Sequence, residues 1–74
     1  MIQVNEIFIE TEYIKLDSFL KLAAIVQTGG QAKMLIADGM VKVNGEVCTM
    51  RGKKLRNNDI IEFQDEKFKI KQGE

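Results

Sequence analysis

The chain has no histidine, no proline and no tryptophan, and only one of its 74 residues is cysteine. Each absence removes a chemistry. Without His, and with a single thiol, neither a zinc site nor a Ser-His-Asp or Cys-His nucleophile system can be assembled. One Cys closes no internal disulfide, so packing alone must hold the core, and a reducing compartment is expected. No apolar run approaches the roughly 20 residues that span a bilayer. No basic stretch precedes an apolar one at the start, so neither a membrane anchor nor a signal peptide is expected. An excess of charge is missing too: 11 Lys and Arg offset 11 Asp and Glu.

What remains is a composition of 45% hydrophobic and 30% charged residues, which suits a folded chain rather than a disordered one. The length allows one core, so a single domain over residues 1–74 is expected. A cytoplasmic binding module without cofactor or metal fits these limits better than an enzyme. No carboxylate pair stands out, and little volume is left for a substrate pocket.

Zero net charge hides an uneven distribution. Residues 1–14 hold Glu6, Glu10 and Glu12 with no base. Residues 15–56 hold Lys15, Lys21, Lys33, Lys42, Arg51, Lys53, Lys54 and Arg56 against Asp17, Asp38 and Glu46. Residues 57–74 are acidic again on balance. Anionic partners respond to such local fields more than to the total. A solvated surface of mixed sign accounts for the same counts.

Residues 1–14 read as extended, because Ile7 and Ile9 alternate with Glu6, Phe8 and Glu10. A helix is expected to start at Asp17 or Ser18, either of which can cap free N–H groups. Phe19, Leu22, Ala23 and Val26 would form its core stripe and Lys21 its outer face. Thr28-Gly29-Gly30-Gln31 fits a capping box that opens a second helix. There Ala32, Leu35 and Ile36 share a face, with Lys33, Ala37 and Asp38 turned away. Gly39 suits the left-handed residue that ends it. The two helices make a helix-turn-helix-like hairpin.

The period then changes to two. Val41 and Val43 alternate with Lys42, Asn44-Gly45 is a hairpin turn signal, and Glu46–Met50 is the expected return strand. Arg51-Gly52-Lys53-Lys54 reads as an exposed basic loop, and Leu55 as a return to the core. Asn57-Asn58-Asp59 reads as a turn. Ile60–Phe63 and Phe68–Ile70 read as strands joined by Gln64-Asp65-Glu66-Lys67. The fold class is α+β: a two-helix layer packed on a small, twisted, mostly antiparallel sheet. Pairing of the terminal strands is expected to close the sheet.

A capped helix start with two glycines, then Lys33, a Val-Lys-Val-Asn-Gly hairpin and a basic loop form a constellation that suits a phosphate backbone. Helix N-termini offer unpaired N–H groups and a positive dipole end. Gly29 and Gly30 allow close approach, and Lys33 lies one turn inside. Arg51, Lys53 and Lys54 add charge and one planar fork for phosphate.

Three stretches carry a family resemblance: Lys15-Leu16-Asp17-Ser18-Phe19-Leu20-Lys21, Gly30-Gln31-Ala32-Lys33-Met34-Leu35-Ile36, and Gly39-Met40-Val41-Lys42-Val43-Asn44-Gly45-Glu46. With Asn58-Asp59-Ile60-Ile61 they resemble the S-four RNA-binding domain (the alpha-L motif), over about residues 13–63. The length, the Thr-Gly-Gly turn and the Arg-Gly-Lys-Lys-Leu stretch look most like the short stand-alone bacterial forms. Some of those act on ribosomes, in large-subunit assembly or rescue. The resemblance implies contact with RNA, ribosomal RNA or a ribosomal subunit above all, by a monomer with no small-molecule substrate. Carried over by position, Lys15, Thr28, Gln31, Lys33, Lys42, Arg51, Lys53 and Lys54 are the candidates, with Gly29 and Gly30 at the helix start. Many members have Arg or Ser-Arg where this chain has Gly29-Gly30, which shifts weight to the Arg51 loop.

Each piece also has a plainer role. Thr28 caps a helix whether or not an anion binds, and Asn44-Gly45 is a turn. Asp17 reads as structural. Cys48 reads as a small apolar filler, and Met34, Met40 and Met50 as core or gap-filling residues, with a partner surface as the alternative. Tyr13 is the one aromatic near the basic stretch, suited to a core edge or to stacking on a base. The rival function is a small protein-interaction adaptor that docks through a sheet edge or an apolar face.

Overall fold

The computed structural model describes residues 4–73. The elements run β1 (Val4–Ile9), β2 (Ile14–Lys15), α1 (Leu16–Leu22), α2 (Gly29–Ala37), β3 (Val41–Val43), β4 (Glu46–Val47), β5 (Lys54–Leu55), β6 (Ile60–Phe63) and β7 (Glu66–Gln72). Five strands form a sheet in the order β1-β7-β6-β3-β4, and β2 with β5 makes a separate two-stranded ribbon. The β1–β7 pair is parallel and the other described pairs are antiparallel. The expected α+β class and the pairing of the two ends are both present. The expected first strand extends back into residues 1–3, which lie outside the described residues.

Strand alternation sorts the sheet into two faces. Ile7 and Ile9 of β1, Phe68 and Ile70 of β7, Ile61 and Phe63 of β6, and Val41 and Val43 of β3 turn toward the helices. They meet Leu16, Phe19, Leu20, Ala32 and Ile36 in one core. Phe19 stands edge-on to Phe68, with ring centroids 5.7 Å apart at 75°. The other face is open. Its residues include Phe8, Lys42, Glu62, Lys67 and Lys69, and the register sets Glu6 beside Lys69 and Glu62 beside both Lys67 and Lys42.

The first helix departs from expectation at its start. It begins at Leu16, with Lys15 in the cap position and no side-chain cap. Neither Asp17 nor Ser18 caps it, because two carbonyls from elsewhere in the chain take the free N–H groups. Leu16 N–H donates to Lys53 O at 2.8 Å and Asp17 N–H to Arg51 O at 3.1 Å. Asp17 lies within the first turn, where Oδ1 accepts the Ser18 N–H at 2.7 Å.

The stripe also shifts. Leu16, Phe19 and Leu20 are buried, while Leu22 is 54% exposed. At 100° per residue the positions 16, 19, 20 and 23 centre one face, and Leu22 lies about a third of a turn away.

The helix is short because it ends in a Schellman motif. Ile25 N–H donates to Leu20 O at 3.0 Å and Ala24 N–H to Lys21 O at 3.0 Å. Ala24 holds the left-handed position with φ 61°. Val26 then returns to the core from the turn.

The second helix follows expectation. Thr28 Oγ1 accepts the Gln31 N–H at 3.2 Å. The reciprocal bond goes one residue further back, from Gln27 N–H to Gln31 Oε1 at 2.8 Å. Gly39 closes the helix at φ 74°, with Met40 N–H on Leu35 O at 3.2 Å, the same motif with the residue that suits it. Asn44 and Gly45 both have positive φ, as the tight hairpin turn requires.

The return strand is shorter than Glu46–Met50: only Glu46 and Val47 pair with β3. Past them, Arg51 and Lys53 lend carbonyls to α1, so the chain must leave the sheet to reach it. The turn before β7 is also tighter, Gln64-Asp65, and the strand starts at Glu66.

Candidate nucleic-acid interface

The ribbon gathers the basic residues. Ile14 pairs with Leu55 and Lys15 with Lys54 in antiparallel register. Leu55 is buried and Ile14 half-buried, so alternation turns their neighbours Tyr13, Lys15, Lys54 and Arg56 outward. The Lys54 Nζ lies 4.8 Å from the Tyr13 ring centroid and the Arg56 guanidinium carbon 5.6 Å from it. Both distances are within cation–π range. Arg56 also meets Glu12, Nη1 to Oε1 at 3.3 Å.

The Arg51–Lys53 turn sits over the start of α1. Its own N–H of Lys53 returns to Met50 O at 3.1 Å, and its carbonyls hold Leu16 and Asp17. The backbone therefore fixes this turn, and the side chains of Arg51 and Lys53 are exposed and free of that task. Among the described residues Arg56 is the one cation with an ion-pair partner. Lys15, Arg51, Lys53 and Lys54 form an unneutralised group.

This placement runs against elementary electrostatics. Lys15 and Lys54 are directly opposite each other, an arrangement of like charge that destabilises a strand pair. They and the Arg51 turn also crowd the positive end of α1, where the helix dipole favours anions. The Tyr13 ring offsets part of this repulsion at Lys54, and an anionic partner would neutralise the rest.

The remaining candidates lie elsewhere. Thr28, Gly29, Gly30, Gln31 and Lys33 are exposed on the first turns of α2. Gly29 and Gly30 have open space where a Cβ would stand, with only Thr28 Oγ1 at 3.9 Å from the one at Gly30. Packing does not demand either glycine. Among the described residues no hydrogen bond or ion pair joins this helix start to the ribbon. Lys42 is exposed on the open face of the sheet, opposite Glu62 and Val47. The structure brings together Lys15, Arg51, Lys53 and Lys54, and leaves Lys42 on the face away from the helices.

Arg56 and Tyr13 join the basic group here, although the sequence reading counted Arg56 only in the charge of the basic middle and Tyr13 only as a nearby aromatic, and set neither among the site candidates. A signal existed: Tyr13-Ile14-Lys15 and Lys54-Leu55-Arg56 each alternate around one apolar residue. Seen as two paired strands, those triplets predict one shared polar face.

An interlocking hydrogen-bond set supports this region from below. Asp59 Oδ2 accepts the Arg56 N–H at 2.8 Å, and Asp59 Oδ1 accepts Asn44 Nδ2 at 3.2 Å. Asn44 Oδ1 accepts the Ile60 N–H at 2.9 Å. The hairpin turn, the last strands and the end of the ribbon are thus linked.

Comparison with known proteins agrees with this architecture. Residues 7–71 match the family described as S4 domain. A Bacillus subtilis (strain 168) protein named "Probable ribosome maturation protein RlbA" is 45% identical over 60 residues, covering 81% of this chain and 84% of that protein. The crystal structure of the 30S ribosomal protein S4e from Thermoplasma acidophilum superposes with a TM-score of 0.61 at 22% identity, over 80% of this chain. The match spans 31% of that ribosomal protein, and the likeness is one of fold.

Proposed function

The chain belongs to the S4 domain family, and on that premise we propose that it is a non-catalytic RNA-binding module, a single domain over residues 1–74 that acts on ribosomal RNA or a ribosomal subunit during ribosome maturation or function. The observation that carries this reading is the cluster of Lys15, Arg51, Lys53 and Lys54, unneutralised and set at the positive end of α1. Cations carried on a pinned turn and a paired ribbon suit a phosphate backbone of fixed shape. RNA helices present phosphates and 2′-hydroxyls to such a surface and hide most base edges. Gly29 and Gly30 at the start of α2, with Lys33 behind them, supply a second phosphate contact, and Lys42 an outlying one. The working form is a cytoplasmic monomer, and no small molecule takes part. The B. subtilis relative, whose name places it in ribosome maturation, supports the choice of partner.

A second reading rests on β1, which is an edge strand of the sheet among the described residues. Phe8 is 66% and Val4 55% exposed there, and sheet edges recruit extended segments of other proteins. Salt separates the two readings. RNA binding through released counterions weakens steeply as salt rises, and apolar docking barely responds.

The test is crosslinking to RNA in living cells, with the Lys53→Glu, Lys54→Glu double variant alongside. Enrichment of a defined ribosomal segment, lost in the variant, supports the reading. Recovery at background for both proteins would overturn it and favour the protein-docking reading.

A further inference from the structure

Beside the basic turn lies a cleft of about 430 Å³ between the β3–β4 hairpin and the segment that follows it. Its size falls within the range of small-ligand sites. Val47 and Met50 provide apolar walls, Asn44, Glu46 and Thr49 provide polar groups, and Lys53 stands at the rim. Resting on the RNA-binding reading above, we infer that this cleft takes the base of one unpaired nucleotide, with its phosphate on the Lys53 side.

Three observations carry the inference. The first is the backbone. Pairing of β4 stops at Val47, and Cys48 N–H still donates to Val41 O at 3.0 Å. Beyond it, among the described residues, Thr49 N–H, Thr49 C=O and Met50 N–H join no backbone hydrogen bond. Thr49 and Met50 both line the cleft, and base edges pair with backbone donors and acceptors of this kind.

The second is preorganisation. Asn44 Oδ1 is held by Ile60 N–H at 2.9 Å, and Nδ2 reaches Asp59 at 3.2 Å. A primary amide has two N–H donors, so one remains for a ligand. Fixed polar groups cost little ordering when they bind.

The third is the mixture of charges. Glu46 on the lining repels a bare anion, yet a carboxylate accepts from the exocyclic amino group of a base. Lys53 at the rim belongs to the cationic group. A ligand with an apolar, hydrogen-bonding plane and an anionic tether satisfies both ends, and a nucleotide splayed out of an RNA helix has that form.

The experiment uses amide NMR spectra of the full chain, titrated with AMP, CMP, GMP, UMP and inorganic phosphate at constant ionic strength. Nucleotides that carry an amino group should shift Val47, Thr49 and Met50 together with Lys53, and phosphate should shift only the Arg51–Lys54 segment. A second arm compares an RNA hairpin bearing one bulged nucleotide with the same hairpin fully paired. The bulged form should bind about tenfold tighter, in line with one hydrogen bond gained to the Glu46 carboxylate. Thr49→Trp, which plugs the cleft from an exposed position, should erase that preference and leave the paired hairpin's affinity unchanged. Met50→Ala should reduce the preference without filling the cleft. Base-independent shifts with equal affinity for the two hairpins would overturn the cleft assignment and leave the RNA reading standing. Failure to bind either hairpin would overturn both.

Discussion

Lys15→Glu separates folding from binding, because it should move the two in opposite directions. Lys15 occupies the cap position of α1 and lies directly opposite Lys54, and among the described residues its side chain makes no hydrogen bond or ion pair. A like-charge cross-strand pair costs about 0.2–1 kcal/mol, and an opposite-charge pair returns a similar amount. An anion in place of a cation at a helix N-terminus adds roughly 0.3–1 kcal/mol at low salt. Both residues are exposed, so values near the bottom of these ranges apply, and the net gain should be about 0.7–1 kcal/mol. For a domain of this size that raises Tm by roughly 2–8 °C. Thermal unfolding followed by circular dichroism should show the gain in dilute buffer and lose most of it near 0.5 M salt, where screening is short-ranged. RNA affinity should fall in the same protein, and the slope of log K against log salt should flatten by about one. Lys15→Gln should give about half of each effect. A variant no more stable than its parent would refute the claim that the basic group strains the fold. A more stable variant with undiminished RNA affinity would remove Lys15 from the interface.

Four other substitutions test the framework. Ala24→Gly relieves a non-glycine residue at φ 61° and should stabilise the domain by about 1 kcal/mol, read as a higher midpoint in urea. Gly30→Ala should stabilise by up to about 0.5 kcal/mol, since the added methyl meets only Thr28 Oγ1 at 3.9 Å, and should weaken RNA binding if phosphate approaches that backbone. Asp59→Ala removes two accepted hydrogen bonds and should cost about 1–3 kcal/mol in urea unfolding, with faster amide exchange at Arg56. Leu16→Ala empties a fully buried position and should cost about 2–5 kcal/mol, enough to leave much of the population unfolded at 37 °C.

The elements legible in the sequence were those with local causes. Thr28 and Gln31 formed their cap as read, because the bonds close within four residues. Gly39 and the Asn44-Gly45 turn followed from the backbone angles those positions demand. The alternation Val41-Lys42-Val43 identified a strand with one buried face.

The misreadings share the opposite property. Asp17 and Ser18 looked like caps because nothing nearby revealed that Lys53 and Arg51 would supply carbonyls from more than thirty residues away. Leu22 joined the wrong stripe because an alanine, not a glycine, ends α1, and alanine gives no sign of a left-handed turn. Glu46–Met50 had strand character along its length, and only the path to α1 cut the pairing short.

The candidate site divides the same way. Composition and order alone determined that a basic middle lies between acidic ends, that two helices and a mostly antiparallel sheet would share one core, and that Arg51, Lys53 and Lys54 would be exposed. These follow from charge, periodicity and turn chemistry, which act over a few residues. Only the tertiary structure decided that Lys15 would face Lys54, that Tyr13 and Arg56 would join them, and that Lys42 would stand on the far side of the sheet. Strand register and long-range carbonyl capping set those neighbours, and both depend on which distant segments meet once the core has closed.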